Sequence, residues 1–207
     1  MLETLYILAI TVEAMAGAIA AGRKRMDPFG ILIIACCTAF AGGTIRDLAL
    51  DNHPMVWVGK PEYLVVTCSA ALFVILIRPW VSYLAEAFLV LDAIGLITFS
   101  IIGAQKTLTL GHGYIIAAAM AVFTGAFGGV VRDILCNQMP LVFRKELYGS
   151  IAFAAAWIYF GLTMTSLPQN SAILITLIVG FTLRITAIYK GLELPKFNFD
   201  GQDSPSD

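Results

Sequence analysis

The sequence predicts an all-α integral membrane protein of seven transmembrane helices: two inverted three-helix repeats followed by a seventh helix. Three observations predict it. Of the 207 residues, 59% are hydrophobic and only 13% are charged, where an ordinary soluble domain carries about 25% charge. Seven apolar segments, each close to the roughly 20 residues that cross a bilayer, are separated by turn signals. One unusual element, G-G-x-x-R-D, occurs twice, 86 residues apart, in the second and fifth segments.

The composition excludes most other classes. A soluble enzyme of this size needs a charged surface that these residues cannot supply. Disorder is excluded by the apolar content, and nucleic-acid binding by a net charge of −1 without a basic stripe. The sequence contains no P-loop, no TVGYG-like filter, no H-E-x-x-H, no nucleophile elbow and no Cys/His cluster. Hence neither an enzyme, a metal site nor a cofactor is expected.

The first segment, Leu5–Ala21, follows a start without positive charge and with Glu3, so it reads as a retained helix and not a cleaved signal. The second, Phe29–Leu50, opens after Asp27-Pro28 and is interrupted by Gly42-Gly43. The third, Leu64–Val81, follows Lys60-Pro61 and carries the turn signal Arg78-Pro79 near its end. The fourth is Phe88–Ala104. The fifth, Tyr114–Leu135, follows Gly111-His112-Gly113 and is interrupted by Gly128-Gly129. The sixth, Leu147–Leu167, ends at Pro168-Gln169-Asn170, and the seventh is Ser171–Ile188. The chain thus divides into a first repeat (1–86), a second repeat (87–168), a seventh helix (169–190) and a polar cytoplasmic tail (191–207) expected to be disordered after Pro195.

Charge asymmetry predicts orientation. With the N-terminus outside, nine basic residues fall on the inner side: Arg23, Lys24, Arg25, Arg78, Arg144, Lys145, Arg184, Lys190 and Lys196. Only Lys60 and Lys106 fall outside. The C-terminus is then cytoplasmic. Cys36, Cys37, Cys68 and Cys136 read as small membrane-buried residues. His53 and His112 read as solvated loop residues. Trp57 and Trp80 fall near predicted membrane edges.

The repeat carries the chemistry. Thr38 to Leu48 and Thr124 to Ile134 share T-x-x-x-G-G-x-x-R-D followed by an aliphatic residue, and Gly17/Gly103, Pro54/Pro140 and Val56/Val142 match at the same offset. Three helices per copy make the second copy enter the membrane from the opposite side. Paired glycines weaken a helix and permit a kink. The freed backbone groups must then face protein or a water-filled cavity. The alternative is that Gly42, Gly43, Gly128 and Gly129 allow only close helix packing.

Arg46, Asp47, Arg132 and Asp133 are expensive at membrane depth and must face the interior or a cavity. Sequence neighbours do not face each other on a helix, so each is expected to find a partner elsewhere, across the repeats. They either shape a hydrophilic path or form a structural polar network. Glu13, mid-way along the first segment, reads as a cation site, a partner for an arginine or a protonated bystander, the arginine partner being preferred. Asp92 reads as an interfacial acid in a helix first turn, favoured by the helix dipole. Thr38, Thr124 and Ser100 could line a path or bond back to their own helices.

The doubled G-G-x-x-R-D, the run Met26-Asp27-Pro28-Phe29-Gly30, and Leu91-Asp92-Ala93-Ile94-Gly95-Leu96 followed by Phe99 and Gly103-Ala104 resemble the bacterial branch of the trimeric intracellular cation channel family. The resemblance covers about residues 1–195, and the same sequences are also grouped under a glycine transporter domain. It implies a seven-helix protomer in a homotrimer, in the bacterial inner membrane. It implies one ion path per protomer along kinked helices 2 and 5, and potassium-preferring monovalent cation flow. By motif matching, the carried-over positions are Gly42, Gly43, Arg46, Asp47, Gly128, Gly129, Arg132 and Asp133. The Lys-Glu-Val element tied to phosphoinositide in animal members is absent, so that regulation is not implied. The partners expected are potassium or other monovalent cations, membrane lipid and a second and third copy of the chain. Two other readings stay open: a secondary transporter of a small zwitterion such as glycine, and a non-transporting membrane scaffold.

Overall fold

The computed structural model describes residues 2–77, 84–144 and 147–193. Within them the secondary structure is helical: α1 (Leu2–Arg23), α2 (Pro28–Ala49), α3 (Val56–Gly59), α4 (Glu62–Ile77), α5 (Leu84–Thr109), α6 (Tyr114–Leu135), α7 (Leu141–Arg144), α8 (Tyr148–Thr163) and α9 (Gln169–Lys190). Five of these, α1, α2, α5, α6 and α9, are long and apolar enough to cross a membrane. The third and sixth expected segments hold α4 and α8, apolar helices of 16 residues each. At 1.5 Å per residue each rises about 24 Å. Arg78, Pro79, Trp80, Val81, Lys145, Lys196 and the tail from 194 onward lie outside the described residues.

The 86-residue offset reappears in the element boundaries. Pro28 and Tyr114 open α2 and α6, Ala49 and Leu135 close them, and α4 and α8 start at Glu62 and Tyr148. Even the helix ends match. Asp51 and Asn137 adopt left-handed φ values of 50° and 52°, which Asp and Asn tolerate. The amides of Asn52 and Gln138 reach back to the carbonyls of Asp47 and Asp133, each at 2.8 Å. Both helices therefore end in a Schellman motif. At the other end of α2, Asp27 caps the helix by accepting from the Gly30 amide at 2.7 Å, with Pro28 in the first turn.

Two expectations need refining here. α2 and α6 each run as one helix through their glycine pair, so the pair does not break either span in two. What the glycines provide is close approach. A Cβ on Gly42 would run into the Thr124 carbonyl oxygen, and one on Gly128 into the Thr38 carbonyl oxygen. The two helices cross back to back at matching positions. Gly17 and Gly103 do the same for α1 against α2 and α5 against α6, where a Cβ would meet the hydroxyl oxygens of Thr38 and Thr124 at 2.6 Å. Around this crossing the core is filled by small residues such as Ala9, Ala14, Ala35 and Ala121, all fully buried. The outer faces are apolar, with Phe29, Val65, Leu76 and Ile115 among the most exposed side chains.

The second point concerns Arg184, counted above on the inner side of the membrane: it does not face water there. It is fully buried, with its guanidinium 4.6 Å from the centre of the Tyr148 ring. The remaining placement is coherent. Leu2 and Glu3 share a cavity with Lys106 and another with Gln169 and Asn170, so α1 begins where α5 ends and α9 begins. His53, in the loop after α2, and His112, in the loop after α5, are exposed.

Candidate functional site

Both R-D dipeptides do the same local job, and it is not the one expected. Arg46 folds back on its own neighbour: Nε and Nη2 donate to Asp47 Oδ1 at 2.9 and 2.7 Å. Asp47 Oδ2 accepts from the Val56 amide at 3.1 Å, at the start of α3. Arg132 Nε likewise donates to Asp133 Oδ1 at 2.8 Å, and Asp133 Oδ2 accepts from the Leu141 amide at 3.0 Å, at the start of α7. Each aspartate thus neutralises the preceding arginine with one oxygen and ties down the following short helix with the other. The expectation that neighbours cannot pair fails because a long arginine can curl around its own helix end. Among the described residues no hydrogen bond joins the two motifs across the repeat.

The motifs differ in what surrounds them. Arg132 has a second carboxylate: Nη1 donates to Asp92 Oδ1 at 2.7 Å, and its guanidinium lies 4.6 Å from the centre of the Phe88 ring. The Tyr148 hydroxyl also donates to Asp92 Oδ1, at 3.3 Å. Asp92 is therefore not an interfacial acid in a first turn. α5 begins at Leu84, two turns earlier, and Asp92 is 0% exposed. A ladder runs Arg132–Asp92–Tyr148–Arg184 and joins α6, α5, α8 and α9. In the first half, the position equivalent to Asp92 is Tyr6. Arg46 there has the single carboxylate of Asp47 as its ion-pair partner among the described residues.

Glu13 sits apart from direct pairing. It is 1% exposed, and among the described residues neither carboxylate oxygen has a hydrogen-bond partner. The preferred expectation of an arginine partner is thus not met. The side chain is wedged against bare backbone instead. A Cβ on Gly95 would overlap it, and one on Gly128 would lie 3.7 Å from Oε2. Of the hydroxyls, Thr38 donates to the Ile34 carbonyl at 2.6 Å and Ser100 to that of Leu96 at 2.7 Å. The equivalent of Thr38, Thr124, is buried with no partner among the described residues.

Polar atoms with spare capacity also mark the arginines: Arg46 Nη1 and Arg132 Nη2 are buried without acceptors among the described residues. Arg46 lies at the inner end of a cavity of about 200 Å³ lined by Glu3, Tyr6, Lys60, Tyr63 and Lys106. At its rim, hydrogen bonding to Glu3 holds the Lys60 ammonium above its ordinary range. Sequence reasoning missed Tyr6, Phe88, Tyr148 and Arg184. Arg184 had a signal, since it is the one charged residue between Ser171 and Ile188.

Comparison with known proteins agrees with the repeat. A family model described as glycine transporter matches twice, over residues 3–79 and again over 89–164. The inner membrane protein YadS of Escherichia coli is 38% identical over 201 residues, covering 94% of this chain and 95% of that protein. A solved trimeric intracellular cation channel orthologue from Rhodobacter sphaeroides superposes with a TM-score of 0.88 at 32% identity, over 92% of this chain and 98% of that one. A prokaryotic channel of the same kind, solved in 0.5 M KCl, gives 0.87 at 29% identity, over 93% and 98%. This polypeptide is a multi-pass membrane protein and not an enzyme, and it belongs to the bacterial branch of the trimeric intracellular cation channel family.

Proposed function

We propose that this protein is a channel for monovalent cations, potassium-preferring, with one path in each protomer of a homotrimer in the bacterial inner membrane. The observation that carries the reading is the crossing of α2 and α6. Two helices of opposite halves meet at Gly42 and Gly128, each ends in a buried arginine–aspartate pair, and the chain is about 30% identical to solved cation channels along most of its length.

The path follows the seam between the halves, which we divide at 1–86, 87–168, 169–190 and 191–207. The two three-helix units are inverted in the membrane, with the N-terminus outside and the C-terminus cytoplasmic. Thr38, Thr124 and Ser100 line the mid-section, and Glu13 supplies the carboxylate there. Arg46 with Asp47, and Arg132 with Asp133 and Asp92, stand at the two ends. Neutralised by their aspartates, the arginines do not repel cations, and their movement opens or closes the path. Gly42-Gly43 and Gly128-Gly129 are where α2 and α6 bend on opening, since glycine lets a helix deform at little steric cost.

A planar bilayer holding the purified protein tests this. Discrete potassium-selective current steps are expected, and no conductance over a wide voltage range would refute it. One observation favours a second reading, transport of a small zwitterion. The unpartnered Glu13 Oε2 and Arg132 Nη2 flank the adjacent Gly128 and Gly129, each within 4 Å of a Cβ built there. A carboxylate and a guanidinium so placed would suit an ammonium and a carboxylate. Saturable glycine uptake into proteoliposomes separates the two readings.

A further inference from the structure

Outside the polar seam, the fold brings one pair of thiols together among the described residues. Cys36 on α2 and Cys68 on α4 are 32 residues apart in sequence, yet their sulfurs lie 3.9 Å from each other. Both are free and half-buried. Cys36, and not its neighbour Cys37, faces Cys68. The second half has nothing equivalent: the matching positions are Val122 and Ala154.

The location decides the chemistry. Cys36 is eight residues into the 22-residue α2, about 12 Å along the helix, and so within the hydrocarbon layer. The neighbouring turns of α4 turn outward, with Val65 67% and Leu72 46% exposed. A reactant dissolved in lipid therefore reaches the pair, whereas charged aqueous oxidants do not. Closing a disulfide brings the sulfurs from 3.9 Å to about 2.05 Å. The product is uncharged, as the surroundings demand.

We propose that Cys36 and Cys68 form a redox modification site, an interhelical dithiol oxidised to a disulfide by a lipid-soluble quinone. The two S–H bonds break and one S–S bond forms. Two electrons and two protons pass to the quinone oxygens, giving one quinol per disulfide. The link ties α2 to α4 about 1.7 turns before Gly42-Gly43. The site is independent of whether the chain conducts ions.

The test uses the full chain in liposomes, reduced, then exposed without oxygen to a decyl-substituted benzoquinone. Free thiols counted after denaturation are expected to fall from four to two, with one quinol formed per protein and a peptide joining Cys36 to Cys68 in the mass spectrum. Cys36→Ser and Cys68→Ser should each retain their three thiols. Ferricyanide, confined to water, should leave all four in the wild type. Survival of four thiols in quinone, a Cys37–Cys68 link, or equally fast oxidation by ferricyanide would each overturn the proposal.

Discussion

Asp47→Asn should destabilise the protein more than Asp133→Asn, although the two aspartates occupy matching places in the repeat. The magnitudes follow from the ion pairs. Among the described residues Asp47 is the one carboxylate paired with Arg46, and Arg46 is 1% exposed. Removing the charge leaves a buried guanidinium uncompensated, a change that costs about 3–5 kcal/mol. Arg132 loses Asp133 but keeps Asp92 at 2.7 Å. Its loss is then nearer that of one charged hydrogen bond, about 1.5–3 kcal/mol. Both variants keep an acceptor for the amide of the following short helix, so that contribution cancels. The expected gap is about 1.5–2 kcal/mol. Equilibrium unfolding by SDS titration in mixed micelles measures it. The double variant Asp92→Asn/Asp133→Asn should then lose about 3–5 kcal/mol, as Asp47→Asn does, because it too strips its arginine bare. Equal losses for Asp47→Asn and Asp133→Asn, or a double variant no less stable than Asp133→Asn alone, would refute the asymmetry.

Further consequences can be measured in the same preparation. Gly42→Ala and Gly128→Ala push a methyl into a facing backbone carbonyl and should each cost about 1–3 kcal/mol, whereas Gly22→Ala, where a Cβ meets nothing within 4 Å, should be neutral or stabilising. Tyr148→Phe keeps the ring under Arg184 and loses only the hydrogen bond to Asp92, so a loss near 1 kcal/mol is expected; Tyr148→Ala should cost about 3 kcal/mol or more in the same unfolding assay. Glu13→Gln preserves volume and should leave unfolding near wild type while lowering cation flux in proteoliposomes. Unchanged flux would remove Glu13 from the path.

The helices were legible because lipid permits so few spanning structures. Apolar runs and turn signals placed α1, α2, α6 and α9 within three residues at each end, and the spacing of the R-D motifs exposed the repeat. The fourth segment was cut short at both ends: Leu84 to Ala87 and the polar run Gln105 to Thr109 are helical too. That displaced Asp92 from a buried ion pair to an imagined interface. The partners of the arginines were misread for a different reason. Helix geometry forbids adjacent side chains from facing each other, but a three-methylene stem at a helix end escapes that rule. The burial of Arg184 escaped notice because a count of positive charges by membrane side does not distinguish a buried arginine from a solvated one. The short helices α3 and α7 left only a faint trace, the matched Pro54/Pro140 and Val56/Val142.

The central claim is that the seam between α2 and α6 conducts monovalent cations under the control of its two arginine–aspartate pairs. The most direct measurement is flux in proteoliposomes under a set membrane potential, with potassium and glycine compared in the same vesicles. Potassium flux that scales with voltage, does not saturate at millimolar concentration and changes in Arg46→Ala and Arg132→Ala vesicles holding equal amounts of folded protein is the predicted result. Saturable glycine uptake without potassium conductance, or no flux of either, would contradict it.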